Sequence, residues 1–185
     1  MVSHFRDWLD EAHGVDFAFE TGQFEEALVD RSSGQSLGRE RVWPLLGEFF
    51  EREMHRQTLA PGALDALGRI GEVADIVILT NIPDLAHPWR VEQLAGHGIS
   101  HQVVCNQGGK GGPVSELSNA RPSSVFVDDL PVHHASVARH APAVHRLHMV
   151  AEPLLAPAVP TSEHAHARID DWASATPWIL ERLKP

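Results

Sequence analysis

The sequence SSVFVDD, at residues 123–129, is a short apolar run of β-branched and aromatic residues that ends in two aspartates. Runs of this kind are typical of a strand buried on both faces of a parallel sheet. Three other segments have the same character: ADIVILT (74–80), SHQVVC (100–105) and AVHRLHMV (143–150). Helical patterns precede or separate these strands, at 61–72, 84–97, 113–119 and 132–140. The chain from residue 61 onward therefore repeats helix and strand four times, which predicts an α/β fold with a parallel sheet.

The first sixty residues do not share this alternation. Their patterns predict helices at 3–13, with Ser3 as the N-cap, at 23–29 and at 39–55. Between these helices lie a short strand or link at 15–19 and a turn-rich loop at 31–38. At the other end of the chain, a Pro-rich irregular stretch (151–163) precedes a final helix (169–183). We expect a mostly helical segment at 1–57, followed by an α/β core at 58–185.

Composition narrows the possible functions. The 185 residues include 25 acidic and 15 basic side chains, for a net charge of −10, which disfavours a nucleic-acid partner. The single cysteine excludes an intramolecular disulfide. The first residues do not resemble a signal peptide, and no apolar run approaches the length of a membrane span. We therefore expect a cytoplasmic protein that acts on a small molecule and binds neither nucleic acid nor membrane.

The strongest candidate site residues are Asp128 and Asp129, because ligands of open parallel sheets bind at the carboxyl ends of the strands. Two adjacent carboxylates after an apolar strand repel each other unless a cation is near. Hard cations such as Mg²⁺ prefer carboxylate oxygens. Alternatively, one aspartate could cap the helix that follows, but this explains the second aspartate less well.

Three further residues could bind an anion. Lys110 lies between two glycine pairs, ahead of a predicted helix, in a chain that otherwise has 13 arginines and only one more lysine. The glycines would let the backbone approach a ligand closely, and a helix start favours anions. Thr80 and Asn81 follow the strand at 74–79 and could donate hydrogen bonds to phosphoryl oxygens. The alternatives are a flexible surface loop at Lys110 and ordinary turn chemistry at Thr80 and Asn81.

The histidines and the cysteine carry weaker signals. The 13 histidines include the pairs 133–134, 145–148 and 164–166, none of which has the spacing of a zinc site. We expect them to be surface or helix-facing residues. Cys105 ends a strand, but no activating histidine is recognisable, so a buried structural role is expected.

Taken in order, these strand ends resemble the motifs of the haloacid-dehalogenase-like hydrolase superfamily. VILTN (77–81) is similar to the second motif of that family, Lys110 to the third, and SVFVDD (124–129) to the fourth. The segment PGALDALGRI (61–70) also resembles the helix that precedes the second motif. The resemblance covers about residues 58–150 and implies a Rossmann-like core with an N-terminal helical cap.

The resemblance also implies roles for these residues. Thr80, Asn81 and Lys110 would bind the phosphoryl group, Thr80 and Lys110 as catalytic residues. Asp128 and Asp129 would hold Mg²⁺. The expected activity is that of a Mg²⁺-dependent phosphatase acting on a small phosphorylated molecule.

One motif of the family is absent from the sequence. The first motif is an apolar strand that ends in Asp-x-Asp, whose first aspartate is the nucleophile. The candidates before residue 60, namely Asp7, Asp10, Asp16 and Asp30, do not give this pattern. We expect either that Met1 is internal to a longer protein, or that the chain is a non-catalytic binding or regulatory relative. The first alternative is favoured, because the missing strand is central in the family's sheet and its loss would leave backbone groups unpaired. A receiver-like domain shares the acidic pair and the lysine, but in the opposite order.

Overall fold

The computed structural model describes residues 1–18, 27–119 and 123–184. Its helices and strands, in chain order, are α1 (Val2–His13), β1 (Val15–Phe17), β2 (Leu28–Asp30), α2 (Arg39–Glu53), α3 (Ala63–Gly71), β3 (Val77–Thr80), α4 (His87–Gly96), β4 (Gln102–Cys105), α5 (Gly111–Ser118), β5 (Val125–Asp128), α6 (Pro131–His140), β6 (His145–His148), β7 (Ala167–Arg168) and α7 (Trp172–Arg182). Two 3₁₀ helices, Met54–Arg56 and Asp84–Ala86, extend α2 and precede α4. Within the described ranges, none of the helices combines the length and apolar character needed to cross a bilayer.

The chain divides into two compact units, Met1–Thr58 and Leu59–Pro185. The first unit contains α1, α2 and an antiparallel pair of strands, β1 and β2. Its core is aromatic: Phe5 and Phe49 are buried with their ring centroids 4.9 Å apart. Two expectations are wrong here. Residues 28 and 29, which were predicted to end a helix, belong to strand β2, and α1 begins at Val2 with Met1 as its N-cap in place of Ser3. The rest of the helix predicted at 23–29 lies mainly outside the described residues.

The second unit confirms the predicted α/β class, with parallel strands and intervening helices. Strand β3 pairs in parallel with β4, so that Thr80 lies opposite Cys105. Strand β5 pairs in parallel with β6, so that Asp128 lies opposite His148, and β6 pairs with the short β7. Because the strands of each sheet run in the same direction, their polar carboxyl ends gather at one edge.

Helices cover both faces of the β5–β6–β7 sheet. On one face, Val125 and Val127 pack against a cluster that contains Leu147 of β6 and Ile179 of α7. On the other face, Phe126 packs with Val114 of α5 and Val137 of α6. Side chains of a strand point alternately to opposite faces. The first three residues of β5 are therefore all apolar, because both of its faces are covered.

The two sheets are not joined by a backbone ladder. Within the part of the chain that the structure describes, β3 pairs only with β4, and β5 pairs only with β6 among the strands. Leu79 of β3 nevertheless packs against the cluster that contains Phe126 of β5. All four residues of β3 are only half-buried. The expectation that this strand is buried on both faces is therefore wrong, and in the part of the chain that the structure describes one of its edges has no strand beside it.

Candidate active site

The centre of the candidate site is a buried ion pair between Lys110 and Asp128. The Lys110 Nζ atom donates a hydrogen bond of 2.7 Å to Oδ2 of Asp128. The two side chains are only 11% and 4% exposed. Lys110 follows β4 and caps α5, whereas Asp128 ends β5. The ion pair therefore connects the two parallel sheets, and it brings together two of the residues that the sequence singled out.

Asp129 is exposed, in contrast to its neighbour. Its pKa is nevertheless raised, first because the surrounding protein displaces water and second because the Asp128 carboxylate repels its charge. The Lys110 ammonium opposes this change only in part. The single Lys110 ammonium therefore balances only one of the two carboxylates, and a further cation would stabilise the remaining negative charge.

The two aspartates fit a Mg²⁺ ion in their chemistry. Among the described residues, no third His, Cys, Asp or Glu joins them to form an enclosed metal cluster. Mg²⁺ does not require such a cage, since it keeps several waters and is usually bound by one or two carboxylates together with substrate phosphates. The donor set at Asp128 and Asp129 is of that type.

Asn81 holds the glycine-rich loop that leads to Lys110. Its Nδ2 atom donates to the carbonyl oxygen of Gly108 at 2.9 Å, and its Oδ1 atom accepts from the Asn106 amide at 2.9 Å. His133 Nε2 lies 3.4 Å from the same Asn81 nitrogen. A phosphoryl oxygen bound by Asn81 would have to share or replace one of these bonds. Thr80 lies next to it, half-buried at the end of β3.

The glycines beside Lys110 serve helix packing. A Cβ on Gly109 would lie 2.7 Å from Oγ of Ser136, and one on Gly111 would collide with the Ser136 carbonyl oxygen. The Gly111 N–H also donates to Oγ of Ser136 at 2.9 Å. At these two positions the backbone closely approaches α6, whereas the sequence predicts a close approach to a ligand.

Three histidines near the acidic pair are buried: His133, His134 and His148. Of the two expected placements, at the surface or facing a helix, the surface placement is therefore wrong for these three histidines. Burial lowers the pKa of His133 and of His134, since water no longer stabilises the charged imidazolium. His134 Nε2 lies 3.0 Å from the carbonyl oxygen of Asp128, and His148 Nε2 lies 2.9 Å from that of Asp129. Two features of the sequence could have identified these histidines: His148 ends a predicted strand, and His133 and His134 follow the acidic pair after three residues.

The other candidates are less suited to chemistry. Cys105 is half-buried, which differs from the full burial we expected. Its pKa is raised by loss of hydration and by the nearby Asp84 carboxylate, so the thiol stays protonated and is a poor nucleophile. Among the described residues, no group of three or more His, Cys, Asp or Glu side chains is placed to hold a metal ion.

The early aspartates have structural partners in the first unit. Asp10 and Asp16 both pair with Arg31. Asp30 accepts hydrogen bonds from the Ser32 hydroxyl and from the backbone N–H of Ser33, and these interactions lower its pKa to about 2. None of these aspartates ends a strand of a parallel sheet in the described part of the chain.

Comparison with known proteins supports the fold. No protein-family model and no curated protein matches this sequence. Among solved structures, the chain is similar to a crystal structure from Burkholderia xenovorans LB400 described as a haloacid dehalogenase-like hydrolase. The TM-score is 0.57 over 95% of this chain and 89% of that one, with 16% identical residues. At this level of identity the likeness shows that the two chains share an α/β fold, and it establishes neither a family nor an activity.

Proposed function

We propose that this chain is the greater part of a Mg²⁺-dependent hydrolase of the haloacid-dehalogenase-like type, acting as a phosphatase on a small phosphorylated molecule. The observation that carries the proposal is the cluster of Lys110, Asp128 and Asp129, in which the loop after β4 meets the carboxyl end of β5. The likeness of the fold to a hydrolase supports it.

Each residue has a role that its chemistry allows. Asp128 and Asp129 would hold Mg²⁺, whose positive charge screens an anionic substrate from an attacking carboxylate. Lys110 would contribute a fixed positive charge next to the phosphoryl oxygens, and Thr80 a hydroxyl donor. Asn81 would position the loop before Lys110, to whose Gly108 carbonyl it is already hydrogen-bonded.

The attacking carboxylate would come from one additional strand. The edges of β3 and β5 that lack a partner strand, together with the half-burial of β3, support a place for such a strand beside them. Unpaired strand edges in a parallel sheet are unfavourable, because backbone donors and acceptors remain unsatisfied. An apolar strand that ends in Asp-x-Asp would satisfy these edges and bring its first aspartate to the edge of the sheet where Asp128 lies.

The proposal is tested on the protein isolated from its natural source, by intact mass and by hydrolysis of p-nitrophenyl phosphate with Mg²⁺. A mass about 1–2 kDa above 20.3 kDa would match one further strand and a short loop. We expect that longer protein to be active and the 185-residue chain to be inactive.

Asp129→Asn is the decisive variant, because this side chain is exposed and the buried ion pair stays intact. It should reduce both activity and Mg²⁺ affinity, whereas Asp65→Asn, an exposed position on α3, should change neither. Activity that persists undiminished in Asp129→Asn and Asp128→Asn contradicts the proposal. A natural protein of 20.3 kDa that binds Mg²⁺ but has no activity would instead be a binding or regulatory relative.

A further inference from the structure

Two completely buried imidazoles lie next to the acidic pair. His134 belongs to α6 and His148 ends β6, and neither side chain is exposed to solvent. Their ring centroids are 5.2 Å apart with an interplanar angle of 60°. Buried polar rings are uncommon in a protein core unless they form specific hydrogen bonds.

Each ring binds the main chain of one aspartate. His134 Nε2 donates to the carbonyl oxygen of Asp128 at 3.0 Å, and His148 Nε2 donates to that of Asp129 at 2.9 Å. A carbonyl oxygen can only accept, so each Nε2 atom carries the hydrogen. On its other side, His148 Nδ1 accepts from the backbone N–H of Ser162 at 3.1 Å. These two bonds fix a single tautomer of His148.

The peptide unit between Asp129 and Leu130 is held from both sides. Its carbonyl oxygen accepts from His148, and its N–H donates to Oδ1 of Asp128 at 2.9 Å. The other carboxylate oxygen of Asp128 accepts from Lys110. Rotation of this peptide unit would therefore release one oxygen of the Asp128 carboxylate and turn the Asp129 side chain.

A continuous series of hydrogen bonds results. It runs from the Ser162 N–H through the His148 ring and the 129–130 peptide unit to Asp128, and from there to Lys110. Ser162 lies at the end of the Pro-rich stretch at 151–163, for which the sequence suggested no role. Arg168 fixes the same stretch by donating to the carbonyl oxygens of Val159 and Ala156.

We infer that His148, assisted by His134, is a positioning residue that sets the orientation of the Asp128 and Asp129 carboxylates, and that it ties them to the Pro-rich stretch at 151–163. The inference rests on the proposed function only where it treats the acidic pair as a cation site. Outer residues that orient ligating groups commonly change metal affinity by about 10- to 100-fold when they are substituted.

Two substitutions separate the two hydrogen bonds of His148. In His148→Asn, the side-chain oxygen occupies the δ position and can still accept from Ser162, but no donor reaches Asp129. In His148→Gln, the amide nitrogen occupies the ε position and can still donate to Asp129, but the bond to Ser162 is lost. The two variants are matched, since each keeps one of the bonds and introduces the same type of group.

Two readouts are measured: hydrogen-exchange protection of the Leu130 amide by NMR, and Mg²⁺ affinity by calorimetry. We expect His148→Asn to lower the protection and weaken Mg²⁺ binding, each by about tenfold. His148→Gln should stay within about threefold of the wild type in both. The Leu130 readout needs no metal, because this amide donates to Asp128 in the chain itself.

Equal losses in both variants, or no loss in either, would show that His148 only fills the core and would overturn the inference. If the wild type binds no Mg²⁺ while Leu130 protection still separates the variants, the proposed function fails and the positioning role stands. If circular dichroism shows that either variant is unfolded, His134→Gln, which keeps a donor to the carbonyl of Asp128, is compared with His134→Asn, which does not. If the Leu130 amide loses its hydrogen-exchange protection in both His134 variants, or in neither, the inference is overturned.

Discussion

The two parallel sheets of the second unit differ in burial in a way that their sequences do not indicate. Leu147 and His148 of β6 are completely buried, whereas every residue of β3 is half-buried. Yet β3, with the sequence VILT, is the more apolar of the two strands, and β6, with the sequence HRLH, is largely polar. The difference shows that an apolar strand indicates the potential for burial, while its actual burial depends on what lies along its edges. In the β5–β6–β7 sheet, buried side chains form hydrogen bonds with the strand ends. Among the described residues, the β3–β4 sheet has no partner strand along either outer edge.

The largest effect is expected from breaking the ion pair that connects the two sheets. Lys110→Ala would leave the Asp128 carboxylate buried without its cation, which typically costs about 3–5 kcal/mol of the free energy of unfolding. Urea unfolding followed by circular dichroism measures this loss.

The other lysine provides the control for this variant. Lys184 pairs with Glu181 on the surface, so Lys184→Ala should change stability by at most about 1 kcal/mol. Similar losses in both lysine variants would mean that the Lys110–Asp128 pair contributes little to the connection between the sheets.

A direct comparison of the sheets uses one leucine from each. Leu147→Ala removes a completely buried side chain and should cost about 2–5 kcal/mol. Leu79→Ala, on half-buried β3, should cost clearly less, because its side chain is partly hydrated before the change. The same urea experiment gives both values, and equal costs would contradict the difference in burial described above.

A smaller effect is expected where α5 and α6 pack together. In Gly111→Ala the new methyl group collides with the carbonyl oxygen of Ser136, so the variant should lose about 1–3 kcal/mol. Gly112→Ala is the matched control, because nothing lies within 4 Å of its added Cβ and alanine favours a helix over glycine. Thermal unfolding should show a lower midpoint for Gly111→Ala alone, and a lower midpoint for both variants would rule out this explanation.

The smallest effect is a pH dependence in the β5–β6–β7 sheet. His166 Nδ1 accepts from the backbone N–H of Arg146 at 3.0 Å. Its pKa is lowered from 6.5, first by loss of hydration and then by the charge of Arg146. The unfolded chain therefore binds a proton more readily than the folded one, so the contribution of His166 is complete above pH 6.5 and is lost as the pH falls through the lower folded-state pKa.

The thermal midpoint should accordingly decrease between pH 7.5 and pH 5.5. His166→Asn keeps an acceptor that does not titrate, so the decrease should become smaller. His133 and His134, whose pKa values are also lowered, account for the part that remains. An unchanged decrease in His166→Asn would exclude a contribution from His166.

The order of elements in the second unit was predictable, because apolar runs and helical periodicity are local properties of the chain. Asp128, Asp129 and Lys110 were recognisable for the same reason, as polar groups at strand ends. The β1–β2 pair was not, because residues 28–30 become a strand only through pairing with residues 15–17. Strand β7, with two residues, is too short to give a periodic signal.

The positions of the glycines and the burial of the histidines at the site could not be predicted, because they depend on contacts between residues that are far apart in the sequence. Glycines next to a lysine suggest a ligand-binding loop, yet the position of Gly111 is determined by a helix that begins twenty residues later. The buried histidines were missed because a histidine that binds a backbone carbonyl looks like a surface histidine in the sequence. Only the fold shows that His148 lies opposite Asp128.

Because this chain has only two lysines, amine-acylating reagents can report on the Lys110–Asp128 ion pair. Amines that react with acylating reagents occur only at Lys110, at Lys184 and at the chain's N-terminus. Lys184 is two-thirds exposed, whereas Lys110 is nearly inaccessible and hydrogen-bonded. The extent of acylation at residue 110 relative to residue 184, read by mass spectrometry, therefore reports how often the connection between the two sheets opens, without any substitution in the protein.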